Sequence, residues 1–399
     1  MNVSTPVVVF GDAPDPYAHT PVALARTLGR LGVRVLSVHG DAAAPAARSR
    51  YARPVVWRDW PTRPDDRLRR LAAIATECDA QPILIPYDDE SALFVDDHAE
   101  ELAADFVFPE RPAGLAQALV DKRRLNELCA DQGIPTPATI APADDEEVER
   151  FLADATYPIV LKGAHSWIPG LDRRTRIVVA RDRADALIAY RAMGEDERRN
   201  VMLQEYIPGG PDSVWMFNGY FDAASECLVG FTGKKLRQSP PYTGATSLGV
   251  CLANERVATT TKSFMKTLGY RGILDIGYRY DARDGEYKLL DVNPRVGATF
   301  RLFVDPVSQV DVVRALYLDL TGQPVPSARQ RDGRKWLVEP WDTKSSLRYR
   351  RDGRLTGRQW LRSFRGVEEA AWFARDDLRP FVALCGRIAR NRVRKLRDE

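Results

Sequence analysis

Cysteine and histidine are scarce in this chain. Five cysteines (Cys78, Cys129, Cys227, Cys251 and Cys385) and four histidines are scattered over 399 residues with no C-x-x-C pair, which excludes a disulfide scaffold and a Cys/His zinc site. Long apolar runs are also missing: none approaches the roughly 20 residues that span a bilayer. The opening MNVSTPVVVF lacks the basic region and long apolar stretch of a secretory signal, so the expected location is the cytosol with reduced thiols. The first Gly-containing turn, Gly11-Asp12-Ala13, is not G-x-G-x-x-G, so the glycines that let a backbone approach a dinucleotide pyrophosphate are not there. What remains is a globular composition, 44% hydrophobic, 28% charged and 9% aromatic, on a length that calls for two or three domains.

The net charge of +3 conceals an imbalance. Residues 331–399 carry 19 Lys/Arg against 10 Asp/Glu, which leaves 39 against 45 for the rest. The body is mildly acidic and the tail basic, and the tail reads either as a solvated helical surface or as a segment with its own role.

Along the chain, an apolar strand Val7–Phe10, a turn, a helical stretch from Val22 to Leu31 and a second strand from Val33 to Val38 alternate as in a doubly wound α/β unit. A helix near Leu68 to Glu77 and a strand Pro82 to Pro86 repeat the theme, ending at Tyr87-Asp88-Asp89-Glu90. A helix Leu119 to Gln132 stops at Gly133, ahead of Ile-Pro-Thr-Pro, and marks a boundary. An α+β region follows: an acidic helix from Asp144 to Ala153, the strand Pro158 to Lys162, a Gly/Trp/Pro loop from Gly163 to Asp172, the strand Arg176 to Ala180, a helix Ala184 to Met193 and the strand Val201 to Tyr206. Strands are expected over Val214 to Val250, a helix over Asn254 to Leu268, and a hairpin over Ile273 to Asn293; Thr321 to Pro326 reads as a linker into the tail.

The hairpin holds the first chemistry. Its turn, Asp281-Ala282-Arg283-Asp284-Gly285, sets Asp275 across from Asp291, and the two-residue period places Asp275, Asp291 and Asn293 on one face. Facing carboxylates repel unless a cation lies between them, and two carboxylates with an amide oxygen are hard ligands suited to Mg²⁺. Solvated acids on a surface hairpin are the alternative. Lys162 ends the strand Ile159-Val160-Leu161-Lys162, where its ammonium either covers a phosphate or snorkels from a strand end. Lys122 precedes a helix in the same way. The turn Glu205-Tyr206-Ile207-Pro208-Gly209-Gly210-Pro211-Asp212 offers backbone to an adenine edge and an acid to ribose hydroxyls.

In order, Lys122 ahead of Gly-Ile-Pro-Thr-Pro, Pro158-Ile-Val-Leu-Lys162, Gln204-Glu205-Tyr206-Ile207-Pro208-Gly209 and Leu290-Asp291-Val292-Asn293-Pro294-Arg295 resemble the motifs of the ATP-grasp ligases. The resemblance runs from about Val7 to Leu320, and within the superfamily it is nearest to the ATP-dependent carboxylate-amine ligases, the D-aspartate ligase-like group. It implies an α/β chain with a Rossmann-like pre-ATP-grasp domain over 1–115, an ATP-grasp domain over 116–325 with a smaller lid subdomain at about 135–205, and a basic extension over 326–399. It also implies roles. Lys122 and Lys162 would meet ATP phosphates, Glu205, Tyr206 and Ile207 the adenine, and Asp212 the ribose; Asp275, Asp291 and Asn293 would hold Mg²⁺, two ions by family habit, with Mn²⁺ as a substitute; and Arg295 would face the transferred phosphoryl group. Two departures stand out: Asp291 replaces the more usual Glu, and the loop Gly163 to Arg174 lacks the glycine run of carboxylating members, which argues against bicarbonate chemistry.

Such enzymes activate a carboxylate as an acyl phosphate for attack by an amine, so a nucleophilic Ser or Cys is not required. The expected partners are a small-molecule carboxylate and amine. Lys235 and Arg237, with Lys234 beside them, are candidates for an acidic acceptor or its phosphate, and Arg271 is a further one; a solvated basic loop is the other reading. A nucleotide-binding sensor on the same fold is the competing function, and an ATP-dependent kinase or thioester-forming ligase is another. In the tail, Leu378, Phe381, Val382, Cys385, Ile388, Ala389, Val393 and Leu396 recur at helical spacing between arginines. That pattern fits a terminal helix docked on the body or peripheral attachment to an anionic membrane and a lipid-linked acceptor. Nucleic acid is not expected, because aromatic residues do not alternate with the basic cluster. A homodimer is compatible with the sequence.

Overall fold

The computed structural model describes residues 1–12, 15–163 and 178–398. The expected loop Gly163 to Arg174 thus lies, beyond Gly163 itself, outside the described residues, as does the start of the strand expected at Arg176. The chain forms two compact units. The first comprises Met1–Ala116, Trp215–Asp275 and Asn293–Glu399, and the second Gln117–Val214 and Ile276–Val292.

In the first unit, β1 (Val7–Phe10), β2 (Val35–His39), β3 (Arg53–Val56) and β4 (Ile83–Pro86) form a parallel sheet in the order β3-β2-β1-β4. Valine and isoleucine dominate these strands because both sheet faces are covered, and β1, β2 and most of β4 are buried. One face packs on the helix Thr20–Gly29, whose apolar positions include Val22, Leu24 and Leu28. The other face joins Trp57, Leu71, Ile74 and Phe94 in a separate core. Asp88 caps the helix Asp89–Asp97 by accepting from the Ser91 N–H at 2.8 Å.

In the second unit, β5 (Thr139–Ile140), β6 (Ile159–Gly163), β7 (Val178–Ala180) and β8 (Val201–Glu205) form a sheet ordered β5-β8-β6-β7 with antiparallel pairs. The helices Asp145–Asp154 and Arg183–Arg191 cover it through Val148, Leu152, Ala186 and Tyr190. The expected helix Leu119 to Gln132 is two helices, Leu115–Val120 and Lys122–Asp131. Asp121 divides them: in extended conformation, it accepts from the Arg123 and Arg124 N–H groups and opens a new helix at Lys122.

A seven-stranded sheet completes the chain: β9 (Val214–Phe221), β10 (Cys227–Ser239), β11 (Ala245–Cys251), β12 (Gly272–Asp281), β13 (Glu286–Asn293), β14 (Lys335–Leu337) and β15 (Val367–Ala370), in the order β13-β12-β9-β10-β11-β14-β15. Residues 276–281 of β12 and all of β13 except Asn293 belong to the second unit, and the rest of the sheet, Val214 apart, to the first.

The last two strands change the reading of the tail. Residues 326–399 do not form an appendage. β14 pairs with β11 and β15 with β14, while Trp336, Val338, Trp372 and Leu384 enter the same core as Val7, Phe231 and Phe300. Residues 1–115 share that core, so the N-terminal sheet is part of a larger body. Arg26, buried in the helix Thr20–Gly29, pairs with buried Asp377 at 3.1 Å and donates to the carbonyls of Ala371, Trp372 and Asp377. Asp377 in turn accepts from the Ser49 hydroxyl and the Arg50 N–H, so this buried charge pair is fully bonded. The helix Arg379–Asp398 lays Phe381, Leu384 and Ile388 against the core, and Arg387 pairs with Asp41 at 3.1 Å. Phe381, Leu384 and Ile388 thus follow the docked alternative of the two that the sequence allows, while Leu378, Val382 and Val393 of the expected apolar face stay exposed. Among the described residues no helix is long and apolar enough to cross a membrane.

Candidate functional site

In the second unit, Lys162 sits on β6 beside Gln204 of β8, because antiparallel pairing aligns Val160 with Gln204 and Lys162 with Met202. Its ammonium donates to Gln204 Oε1 at 2.8 Å, and Gln204 Nε2 donates to Thr139 Oγ1 at 2.9 Å, which fixes the amide. Lys122, the first residue of its helix, donates to the Leu290 carbonyl at 3.4 Å. Burial pushes the Lys162 ammonium down to about 8; Lys122 pushes the same way and Asp291 opposes it. Two cations near one acid make a site where an anion relieves both desolvation and repulsion.

The hinge after β8 is already partly engaged. The Glu205 N–H donates to the Ala138 carbonyl and the Tyr206 N–H to that of Pro158, so these two donors are taken by the fold. The Glu205 carboxylate bonds Arg283 and lies 3.6 Å from Lys288. Arg283 and Lys288 also hold Asp281, whose side chain is fully buried, at 2.6 and 2.9 Å; Arg283 foremost keeps that carboxyl well below its ordinary range. Tyr206 lies under Arg279, with the guanidinium 5.3 Å from the ring centre, and Arg279 donates to the Gly209 carbonyl at 2.7 Å. Gly209 has φ +136, a backbone region that favours glycine, which explains a glycine at this bend. Ile207 is buried, and Asp212 lies in the short 3-10 turn Pro211–Ser213.

The hairpin strands carry the expected acids, but not across from each other: Asp275 meets Asn293 and Asp291 meets Gly277, because the pairing centres one residue later in the chain than expected. Asn293 Nδ2 donates to Asp275 at 3.3 Å, as does Asn218 Nδ2 from β9. The Asp291 carboxylate lies across Gly277, where an added Cβ would overlap it, and Asp275 lies in the same way against Gly297. Each acid thus rests on a glycine, and larger residues would displace it. Among the described residues no cluster of three or more His, Cys, Asp or Glu suited to a metal occurs. Asp275 and Asn293 in the first unit and Asp291 in the second each offer hard oxygens compatible with Mg²⁺, and in the first unit Asn218 Oδ1, fully buried beside Asp275, has no hydrogen-bond partner. Asn218 was missed in the sequence; its signal was an amide inside the otherwise apolar strand Val214–Phe221.

Arg295, in the first unit, donates through Nε to Asp89 Oδ1 at 2.6 Å, through Nη1 to the Val296 carbonyl and through Nη2 to Asn293 Oδ1 at 3.4 Å. Burial works against its charge, but Asp89, Asp275 and Asp88 outweigh it and raise the guanidinium above its usual value. Asp89 is a second missed residue, although its segment stood out in the sequence.

The remaining basic candidates divide. Lys235 donates to the Gly244 carbonyl at 3.3 Å, and the alternation of β10 sets it on the same face as Phe231 and Gly233. Phe231 pairs with Asn218, so Lys235 shares a sheet face with the Asp275 partner. Arg237 requires a correction. It is 5% exposed, grips Asp342 at 2.6 and 3.0 Å, and donates to Ser363 Oγ at 2.8 Å. Its charge is consumed in joining the sheet to the tail helix Glu339–Arg351, because a register shift after Lys235 redirects the strand. Arg271 donates to the Glu110 carbonyl at 3.4 Å and its own carbonyl accepts from Arg111, so it serves the join between the N-terminal sheet and β12.

No protein-family model matches the sequence. D-aspartate ligase from Enterococcus faecium (strain Aus0004) is 27% identical over 226 residues, covering 54% of this chain and 53% of the relative. The chain therefore matches about half the length of that curated relative. Among solved structures, the biotin carboxylase domain of Hydrogenobacter thermophilus 2-oxoglutarate carboxylase, in complex with MgADP, ADP and bicarbonate, superposes with a TM-score of 0.61 at 17% identity, covering 82% of this chain and 73% of that one. The L-amino acid ligase of Bacillus licheniformis gives a TM-score of 0.60 at 14% identity, covering 84% and 79%. Identities this low establish shared fold.

Proposed function

The chain has the fold of the ATP-grasp ligases, and on that premise we propose that it is an ATP-dependent carboxylate-amine ligase. The carboxylate oxygen attacks the γ-phosphorus of ATP, giving an acyl phosphate and ADP; the amine then attacks the acyl carbon, loses a proton and expels phosphate. The observation that carries this reading is the Lys162–Lys122 pair, two ammonium groups brought near each other with Lys162 lowered to about 8, an arrangement that a polyphosphate would stabilise.

In this reading Lys162 and Lys122 neutralise phosphate oxygens, Glu205 to Ile207 with Asp212 border the nucleoside, and Arg295, held by Asp89, meets the charge that develops during transfer. Asp275, Asp291 and Asn293 would hold Mg²⁺, which supplies charge neutralisation at the transferring phosphoryl group. Lys235 is retained as a substrate-facing cation, and Arg237 is not. The similarity to D-aspartate ligase and to an L-amino acid ligase supports amino acids as the first substrates to try.

The test is ADP release from ATP and Mg²⁺ across a panel of amino acids and acidic metabolites, singly and in pairs, with the products weighed by mass spectrometry. A product lighter by one water than the sum of two substrates, formed one for one with ADP, is expected. Nucleotide binding without ADP release under any pairing would favour a sensor.

A further inference from the structure

The parallel sheet β3-β2-β1-β4 reverses direction of progression at β1, since the chain moves from β1 outward to β2 and β3 and then returns to β4 on the other side. In sheets of this kind ligands settle beyond the carboxyl ends of the strands near that reversal. A shallow recess, with enclosed room for little more than one water-sized group and partly open to solvent, lies at this end. His39 closes β2, Tyr87 follows β4, Asp15 follows β1, and Asp41 and Trp60 complete the wall. Gly11 makes the recess possible, because a Cβ there would overlap the Tyr87 ring.

Its described lining carries negative charge, offset at Asp41 by Arg387. Two carboxylates and two aromatic rings line it, and no Lys or Arg is among its described lining residues. Asp41 shares its charge with Arg387 at 3.1 Å, and Asp15 accepts the Tyr17 N–H at 2.9 Å. His39, 7% exposed, lines the recess, and its Nε2 is buried and has no hydrogen-bond partner. A buried nitrogen without a partner is costly unless a ligand completes it. Burial holds the imidazole down at about 4, so it is neutral near pH 7, and protonated at Nδ1 it presents a lone pair at Nε2. Carboxylate, imidazole and the aromatic rings of Trp60 and Tyr87 together suit an ammonium group, through charge, hydrogen bonds and cation–π attraction.

We propose that this recess receives the ammonium end of a small diamine, whose other, unprotonated amino group is the nucleophile of the ligation. The role of the diamine as co-substrate rests on the ligase reading, while the presence of the site does not. The connection to the reaction centre is covalent and short: Tyr87 lies two residues before Asp89, which holds Arg295, and the intervening Asp88 carboxylate accepts from the Asp12 N–H at 3.0 Å.

The four histidines make the test direct. In protein labelled at the imidazoles, without ATP, putrescine and L-lysine amide should shift the His39 resonance, and the neutral isostere 1,4-butanediol should not. Asp15→Asn, at an exposed position, should weaken the amine response at least about tenfold. His39→Gln should weaken it as well. A response equal for amine and diol, or an unchanged amine affinity in folded Asp15→Asn, overturns the site whether or not His39→Gln folds. Amine binding at His39 in a protein that never releases ADP would refute the ligase reading alone, and ligation with a silent His39 would refute the recess alone.

Discussion

Lys162 pulls stability and affinity in opposite directions. Its pKa falls from an ordinary 10.5 to about 8 on folding, chiefly through burial, so the unfolded chain holds this proton more tightly. The resulting penalty is present in full below pH 8 and is relieved as pH rises from about 8 toward 10.5. Lys162→Met should therefore raise the unfolding free energy of the nucleotide-free protein by about 1–3 kcal/mol near pH 7. The same change should weaken ATP binding by about 2–5 kcal/mol, as expected when one partner of a buried charge pair is lost. Denaturant titration and calorimetry check the two signs separately; a destabilised variant with unchanged ATP affinity would make Lys162 a structural lysine. For the wild type, ATP affinity should decline as pH passes about 8, because the ammonium then loses its proton.

The hairpin β12–β13 is the element on which the proposed metal chemistry depends. Asp291→Ala should preserve the fold and lower turnover by at least about a hundredfold, measured as ADP release at saturating ATP. Gly277→Ala removes no polar group, yet its methyl overlaps the Asp291 carboxylate and should also depress turnover while leaving ATP binding nearly intact. Near-normal activity in both variants would reject the metal assignment. The common face of Asp275, Asp291 and Asn293 was legible in the sequence because strand alternation is a backbone property. The register of the two strands and the contacts that hold these residues were not. Asn218 and Asp89 lie 57 and 206 positions from the groups they bond, a separation that no local pattern reveals. Arg237 looked like a substrate ligand for the same reason: its partner Asp342 is 105 residues away. The twin lysines were visible one by one, but the burial of Lys162 and, after it, the nearness of Lys122, which together depress its pKa, required the fold.

At the scale of the whole molecule, the alternation of strands and helices identified the N-terminal sheet, and composition identified the basic tail. Composition could not say what the tail touches, since an arginine count is the same for a solvated helix and a docked one. The answer lies in β14, β15 and the Arg26–Asp377 pair. Asp377→Ala leaves Arg26 buried without its counter-ion and should cost about 3–5 kcal/mol of stability, seen as an earlier denaturant midpoint. Because 1–116 and 293–399 enclose the intervening segments, the polypeptide emerges from the ribosome in an order that its architecture does not follow. The parallel sheet is synthesised first, but its outer helix finds Trp372, Asp377 and Leu384 only when translation is nearly over. Gln117–Val214, made in between, has its own core of Val148, Leu152, Leu161 and Leu203 and can become compact while the earlier segment waits. Arrested nascent chains ending near residue 300 should accordingly protect Gln117–Val214 from protease and leave Met1–Ala116 open to it, so that the first part made is the last to mature.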